Sequence, residues 1–323
     1  MSDYRRDFAA EIRANKRKSV ILFIGLPLLL LLLCWVIGRS YDFGNIGLPI
    51  GFLLAVFVML ITYFLGDDIV LGFTGAREAT WESDQVLFNV VDEMRIASGL
   101  PMPRVYVIDS FALNAFATGW SPEDSAIAVT RGMLENLNRD ELQGVVAHEM
   151  AHIANLDIRY MLLVSTMVGA IALIADGYRR SLWYGSGRTG RAATKGSSRG
   201  AFFVIGIVLS ILAPFAALVM QASISRKREY LADATSARLT RNPLGLAGAL
   251  AKIEQSMFVN PLPWINRATV HLFIVNPLRN DEMQKGIIFS THPPTKDRIQ
   301  RLRAMASLQG MMGAEDGAAT HSD

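Results

Sequence analysis

Four stretches of the chain contain no Asp, Glu, Lys or Arg: 19–38, 43–66, 160–175 and 200–225. Their lengths are 20, 24, 16 and 26 residues. A helix needs about 20 apolar residues to cross a hydrocarbon layer of about 30 Å. The first, second and fourth stretches meet that length. The third spans only about 24 Å by itself, at about 1.5 Å per residue, and suffices only if Arg159 and Asp176 stand at the interfaces. A buried core helix is the competing reading for 160–175, but it does not suit the uncharged length of the first two. Pro27 and Pro214 lie inside stretches, where membrane helices tolerate proline better than exposed soluble helices do. Leu28–Leu33 is a pure leucine run with no small-residue cleavage site after it, which argues against a removed signal peptide. With 51% hydrophobic and 19% charged residues, against about 25% charged in average soluble domains, the chain reads as mostly α with four membrane-associated helices.

Charge placement sets an orientation. The net charge is +3, and the basic residues cluster beside the apolar stretches, so a lipid bilayer explains them better than nucleic acid does. Arg5, Arg6, Arg13, Lys16, Arg17 and Lys18 precede the first stretch, whereas only Arg39 lies between the first two. The amino terminus is therefore expected in the cytoplasm, and the chain from Asp67 onward returns there. The third and fourth stretches are separated by Arg179, Arg180, Arg188, Arg191, Lys195 and Arg199. Either this hairpin crosses despite the charge rule or it does not fully cross. The organisation that follows is an N-terminal segment and transmembrane hairpin (1–66), a first catalytic part (67–157), a second hydrophobic hairpin (158–225), a second catalytic part (226–305) and a flexible tail (306–323). Cys34 is the single cysteine, so neither an intrachain disulfide nor a multi-thiolate zinc site is available.

The soluble stretch after Asp67 carries the chemistry. Leu87, Val90, Val91 and Met94 fall on one face of a helix over 82–98, stopped by Gly99 and Pro101. RVYVID at 104–109, NAFATG at 114–119 and SAIAVT at 125–130 are strand candidates, giving a small sheet and an α+β class. Asn138 followed by Glu141 is a capping pair for a helix that runs through Val145 into His148-Glu149-Met150-Ala151-His152. Residues four apart share a helical face, so His148 and His152 can offer two imidazole nitrogens to one metal ion, a donor pair suited to zinc. Glu149, one residue off that face, is where the general base for an attacking water belongs. No proline or glycine interrupts 145–168, so the same helix is expected to carry the ligands and enter the membrane, setting the active site at the bilayer surface. Catalytic zinc keeps three protein ligands and one open position. For the third, Glu229 and Asp233 share a face of the segment after the fourth stretch. Glu229 could bind the metal while Asp233 accepts a hydrogen bond from a ligand histidine, or both could simply pair with the adjacent Arg226, Lys227 and Arg228.

Taken together these motifs resemble the HtpX-type membrane zinc metallopeptidases, relatives of the CaaX prenyl-protein proteases. HEMAH at 148–152 with Asn155 and Asp157, EYLAD at 229–233, NAFATG at 114–119 and STHPPTKDRIQRL at 290–302 occur in the family's order. The resemblance implies a zincin-like catalytic domain built around the HExxH helix. It implies one zinc ion per chain, held by His148, His152 and Glu229, with Glu149 as the base. It sets His292 and Arg298 at the reacting carbonyl or substrate backbone, and makes Asn114, Ala115, Phe116 and Ala117 a substrate-pairing edge strand. It also implies a multi-pass protein of the bacterial inner membrane that cleaves damaged or unfolded membrane proteins at the cytoplasmic face under stress, in partnership with an ATP-dependent membrane protease. A CaaX-type processing protease would carry more membrane helices than four. A silent scaffold would not need His148, Glu149, His152 and Glu229 intact. A transporter would want charges inside its apolar stretches, and these have none.

Overall fold

The computed structural model describes residues 20, 23–184, 197–256, 274 and 293–319. They fall into two compact units. The first is built from the described residues up to Gly66 and those of Leu162–Ile224; the second takes those of Asp67–Met161 and Ser225–Asp323.

The first unit holds the apolar helices. α1 covers Phe23–Ser40 and α2 Gly47–Thr74. α6 covers Asp157–Tyr184 and α7 Ser197–Thr240. Each contains a segment long and apolar enough to cross a membrane. The third stretch, too short as an uncharged run, is lengthened because helix continues through both flanking charges. α1 and α2 approach closely: a Cβ on Gly47 would stand 2.4 Å from the Cys34 carbonyl oxygen. Thr62 Oγ1 and Thr166 Oγ1 lie 2.7 Å apart, which fixes the start of α6 beside the later part of α2. Its far end meets the α1–α2 turn, where Tyr41 contacts Ser181 through their hydroxyls and the Tyr41 and Tyr178 rings meet edge to face at 5.9 Å. Phe202, near the start of α7, touches Trp35 at 5.5 Å and lies under the Arg39 guanidinium at 4.9 Å. Among the described residues, the end of α6 and the start of α7 thus lie beside the α1–α2 turn.

In the second unit a four-stranded sheet has the order β1 (Ala76–Glu78), β2 (Arg104–Ile108), β4 (Ser125–Thr130), β3 (Ala115–Gly119). β2 and β4 are parallel, while β1 and β3 run antiparallel to their neighbours. β3 is therefore terminal in the sheet among the described residues. α3 (Trp81–Ser98) buries Leu87, Val90, Val91 and Met94, as the spacing predicts, and ends at Gly99 with φ 71°, a left-handed conformation that glycine adopts without strain. α4 (Arg131–Asn136) leads to α5 (Arg139–Ala154). At the start of α5 the capping pair closes as expected: the Glu141 N–H donates to Asn138 Oδ1 at 2.9 Å and the Asn138 N–H to Glu141 Oε2 at 2.8 Å. Val145, Val146, Met150 and Ile153 of α5 join one core with Val105, Ile127 and Val129 of the sheet, Leu246 and Leu250 of α8 (Pro243–Ser256) and Leu302 of α9 (Thr295–Ala319).

One expectation is corrected here. A helix unbroken from Val145 to Val168 does not form. α5 ends at Ala154, Leu156 takes φ 58°, and α6 starts at Asp157. The reversal needs no glycine because Leu156 itself occupies the left-handed region. At the other end of the chain, α9 runs to Ala319.

Candidate metal centre

The site assembles on α5, α6, α7 and α9, with β3 along one side. Capping fixes the start of α5, and the apolar face around Val145 and Met150 fixes its rotation. His148 and His152 then project together, both buried. Their Nε2 atoms lie 3.2 Å apart. Glu229, on α7, places Oε2 3.7 Å from His148 Nε2 and Oε1 3.6 Å from His152 Nε2. Two nitrogens bound tetrahedrally to zinc at about 2.0–2.1 Å would stand about 3.3 Å apart. The three donors are thus spaced for one small cation.

The far side of each imidazole is also held. His148 Nδ1 lies 3.0 Å from Asp233 Oδ1, and His152 Nδ1 lies 3.1 Å from Asp157 Oδ2. A carboxylate at Nδ1 fixes the tautomer that leaves Nε2 as the acceptor. Each carboxylate is backed by a buried arginine. Arg298 forks onto Asp233 through Nη2 at 2.7 Å and Nε at 2.9 Å, and its Nη1 donates to the Ile274 carbonyl at 2.8 Å. Arg228 reaches Asp157 at 3.5 Å and stacks 3.6 Å over the Tyr160 ring. The site therefore contains two parallel chains, Arg298–Asp233–His148 and Arg228–Asp157–His152.

Charge gives a second test of fit. Among the described residues, Glu149, Asp157, Glu229 and Asp233 are buried beside two buried guanidinium groups, Arg228 and Arg298. With neutral imidazoles that leaves two negative charges uncompensated, and buried charge is costly unless paired. One divalent cation closes the balance. The same field acts on protons. Burial works against a charged His148, yet Asp233 and Glu229 outweigh it and push the group up to about 9. A metal cation is drawn by those carboxylates in the same way. Asp233 is held below the usual carboxylate range: burial opposes ionisation, but Arg298 and His148 prevail. Burial pushes the Glu149 carboxyl up; the two imidazoles and the Ala117 N–H offset it only in part. A raised carboxyl suits a group that must take and return a proton.

Among the sequence-derived residues, the structure brings His148, Glu149, His152, Glu229, Asp233 and Arg298 into one buried cluster. His292 lies outside the described residues. Asn114 immediately precedes the terminal strand β3 and Ala115–Ala117 lie in it, all four buried. Asn114 is held on both sides: its Oδ1 accepts from the Ala115 N–H at 2.9 Å and the Ile274 N–H at 3.2 Å. Spacing does not single out Arg228 as the partner of Asp157; the only hints are its place next to Glu229 and Asp157 following His152 by five residues.

Comparison with known proteins gives a consistent result. The profile described as Peptidase family M48 matches residues 82–306. A protein named "Protease HtpX homolog" from Dictyoglomus turgidum is 40% identical over 308 residues, covering 95% of this chain and 98% of that one. Another of the same name from Pyrococcus abyssi is 43% identical over 279 residues, covering 86% and 93%. Among solved structures, the crystal structure of S. mikatae Ste24p shares the fold, with a TM-score of 0.51 at 20% identity over 91% of this chain and 67% of the other.

Proposed function

This chain belongs to peptidase family M48 and is a membrane-anchored metalloprotease, and on that footing we propose that it is a zinc endopeptidase. Its proposed substrates are misfolded or damaged membrane proteins, cut at the cytoplasmic face of a bacterial inner membrane as part of protein quality control under stress. The observation that carries the zinc assignment is the donor triangle of His148, His152 and Glu229, with separations of 3.2, 3.6 and 3.7 Å. Placement near the membrane is supported by α7, which carries both an apolar span and Glu229. An ATP-dependent membrane protease remains the proposed partner.

Zinc, when bound, supplies Lewis acidity that polarises a carbonyl and makes a nucleophile available at neutral pH. The chain's own groups do the rest. Glu149 takes the proton of the attacking water and delivers it to the leaving amine. Asp233 and Asp157 keep both imidazoles oriented, each steadied by its arginine. His292 is proposed to donate to the developing oxyanion. Arg298 is proposed to act beside it, its Nη2 lying 3.5 Å from His148 Nε2. Loss of one such donor typically costs about 2.7–4 kcal/mol of transition-state stabilisation. Asn114, Ala115, Phe116 and Ala117 are proposed to align an extended substrate along β3. Strand addition of this kind reads backbone more than side chain, so cleavage preference should be loose.

The test uses full-length protein in detergent, loaded with zinc or stripped by chelator, with casein as an unfolded substrate. Cleavage is expected only with metal, at one zinc per chain by elemental analysis. Glu149→Gln should keep the metal and lose about 10²–10⁴-fold in rate. Equal inactivity of both proteins, with substrate still bound, would favour a scaffold instead.

A further inference from the structure

At the end of α6 the first unit contains a pocket of about 500 Å³ lined by Asp176, Arg179, Arg180 and Trp183. Its two guanidinium groups differ. Arg179 is committed, pairing with Asp176 and donating from Nη1 to the Ser210 carbonyl at 3.2 Å. Arg180 is exposed and has no hydrogen bond or ion pair among the described residues. Among the described lining residues, two cations against one carboxylate give a net positive charge, with a planar fork available for an oxyanion.

The surroundings identify which oxyanion. Trp35, Arg39, Tyr41, Tyr178 and Phe202 gather at this same end of the bundle, and aromatic rings with arginine are what a membrane–water interface selects. Leu173, Asp176, Arg180 and Trp183 recur at helical spacing on one stripe of α6. Leu173 is 74% exposed and Trp183 85% exposed. The stripe therefore runs from an apolar surface, past Asp176 neutralised by Arg179, to the free guanidinium and an indole, matching a phospholipid's acyl chain, phosphate and polar headgroup. A soluble phosphate would use the guanidinium but not the leucine below it.

We propose that this pocket binds the headgroup of an anionic phospholipid, with Arg180 on the phosphate and the acyl chain along Leu173. The test is native mass spectrometry of the full-length protein in detergent with equal amounts of phosphatidylglycerol and phosphatidylcholine. Phosphatidylglycerol adducts should dominate. Arg180→Gln should lower the adduct ratio about fivefold, the usual effect of one basic residue at an anionic surface. Arg180→Lys should fall less, since it keeps the charge but not the fork. Arg303→Gln, the same charge change at an exposed position of α9, should leave the ratio unaltered. Casein cleavage by Arg180→Gln at the wild-type rate would show that the protein is folded. The proposal fails if Arg180→Gln keeps the wild-type ratio, if Arg303→Gln lowers it equally, or if millimolar inorganic phosphate displaces the lipid.

Discussion

His148 and His152 use both ring nitrogens, but the two Arg–Asp–His chains behind them are not equivalent. Arg298 holds Asp233 with two nitrogens at 2.7 and 2.9 Å, whereas Arg228 reaches Asp157 with one at 3.5 Å. Breaking a buried pair strands a charge, at a cost of about 3–5 kcal/mol, and a bidentate pair has more to lose. Asp157→Asn and Asp233→Asn should each weaken metal binding about 10–100-fold by releasing an imidazole. Asp233→Asn should also lower the melting temperature by the larger amount. A zinc titration against a competing chelator, run with thermal melts, separates the two effects; unchanged affinity in both variants would remove the carboxylates from the metal site. Of these residues, His148, His152 and Glu149 are legible in the sequence because one helical turn fixes them, whereas spacing leaves Glu229 open between metal ligand and ion-pair partner. Arg298 is 65 positions from Asp233 and Arg228 is 71 from Asp157, and no local period encodes pairings across such distances.

At the scale of elements, the alternating strands and the capping box of α5 could be read locally because each is set by neighbouring residues. The break at Asn155–Leu156 could not. It is made by a leucine in a conformation that glycine usually takes, so the punctuation that marks most helix ends is missing. Close approach is equally hidden. Gly144 sits in the middle of the ligand helix, where glycine costs about 1 kcal/mol relative to alanine. Its reason is contact: a Cβ there would lie 2.5 Å from the Leu246 backbone nitrogen of α8. Its carbonyl meanwhile accepts from Ser236 Oγ of α7 at 2.7 Å. Gly144→Ala would gain the helix preference but force two backbones apart, and overpacking typically costs about 1–3 kcal/mol. The contact wins because the obstructing atom is main chain and cannot rotate away. Lower melting temperature together with weaker zinc retention is expected. A variant as stable as wild type would mean that α8 can shift without disturbing the ligands.

Across the whole molecule, the charge rule and the helix packing disagree, and packing decides. Six basic residues between the third and fourth apolar stretches made a full crossing doubtful. The contacts of Tyr41 with Tyr178 and Ser181, and of Thr62 with Thr166, nevertheless set α6 alongside α2 from Thr62 back to the α1–α2 turn. We therefore expect the end of α6 and the start of α7 to reach the same membrane surface as the α1–α2 turn. Cysteines at Asp42, Trp183 and Leu308, all exposed positions, would reveal this arrangement in intact cells. A membrane-impermeant maleimide should label Asp42→Cys and Trp183→Cys together from outside and leave Leu308→Cys unlabelled until the cells are opened. Native Cys34 is buried and should contribute little background. If Trp183→Cys were labelled only together with Leu308→Cys, the α6–α7 hairpin would turn back within the membrane, and the lipid site assigned to its end would lie on the wrong surface.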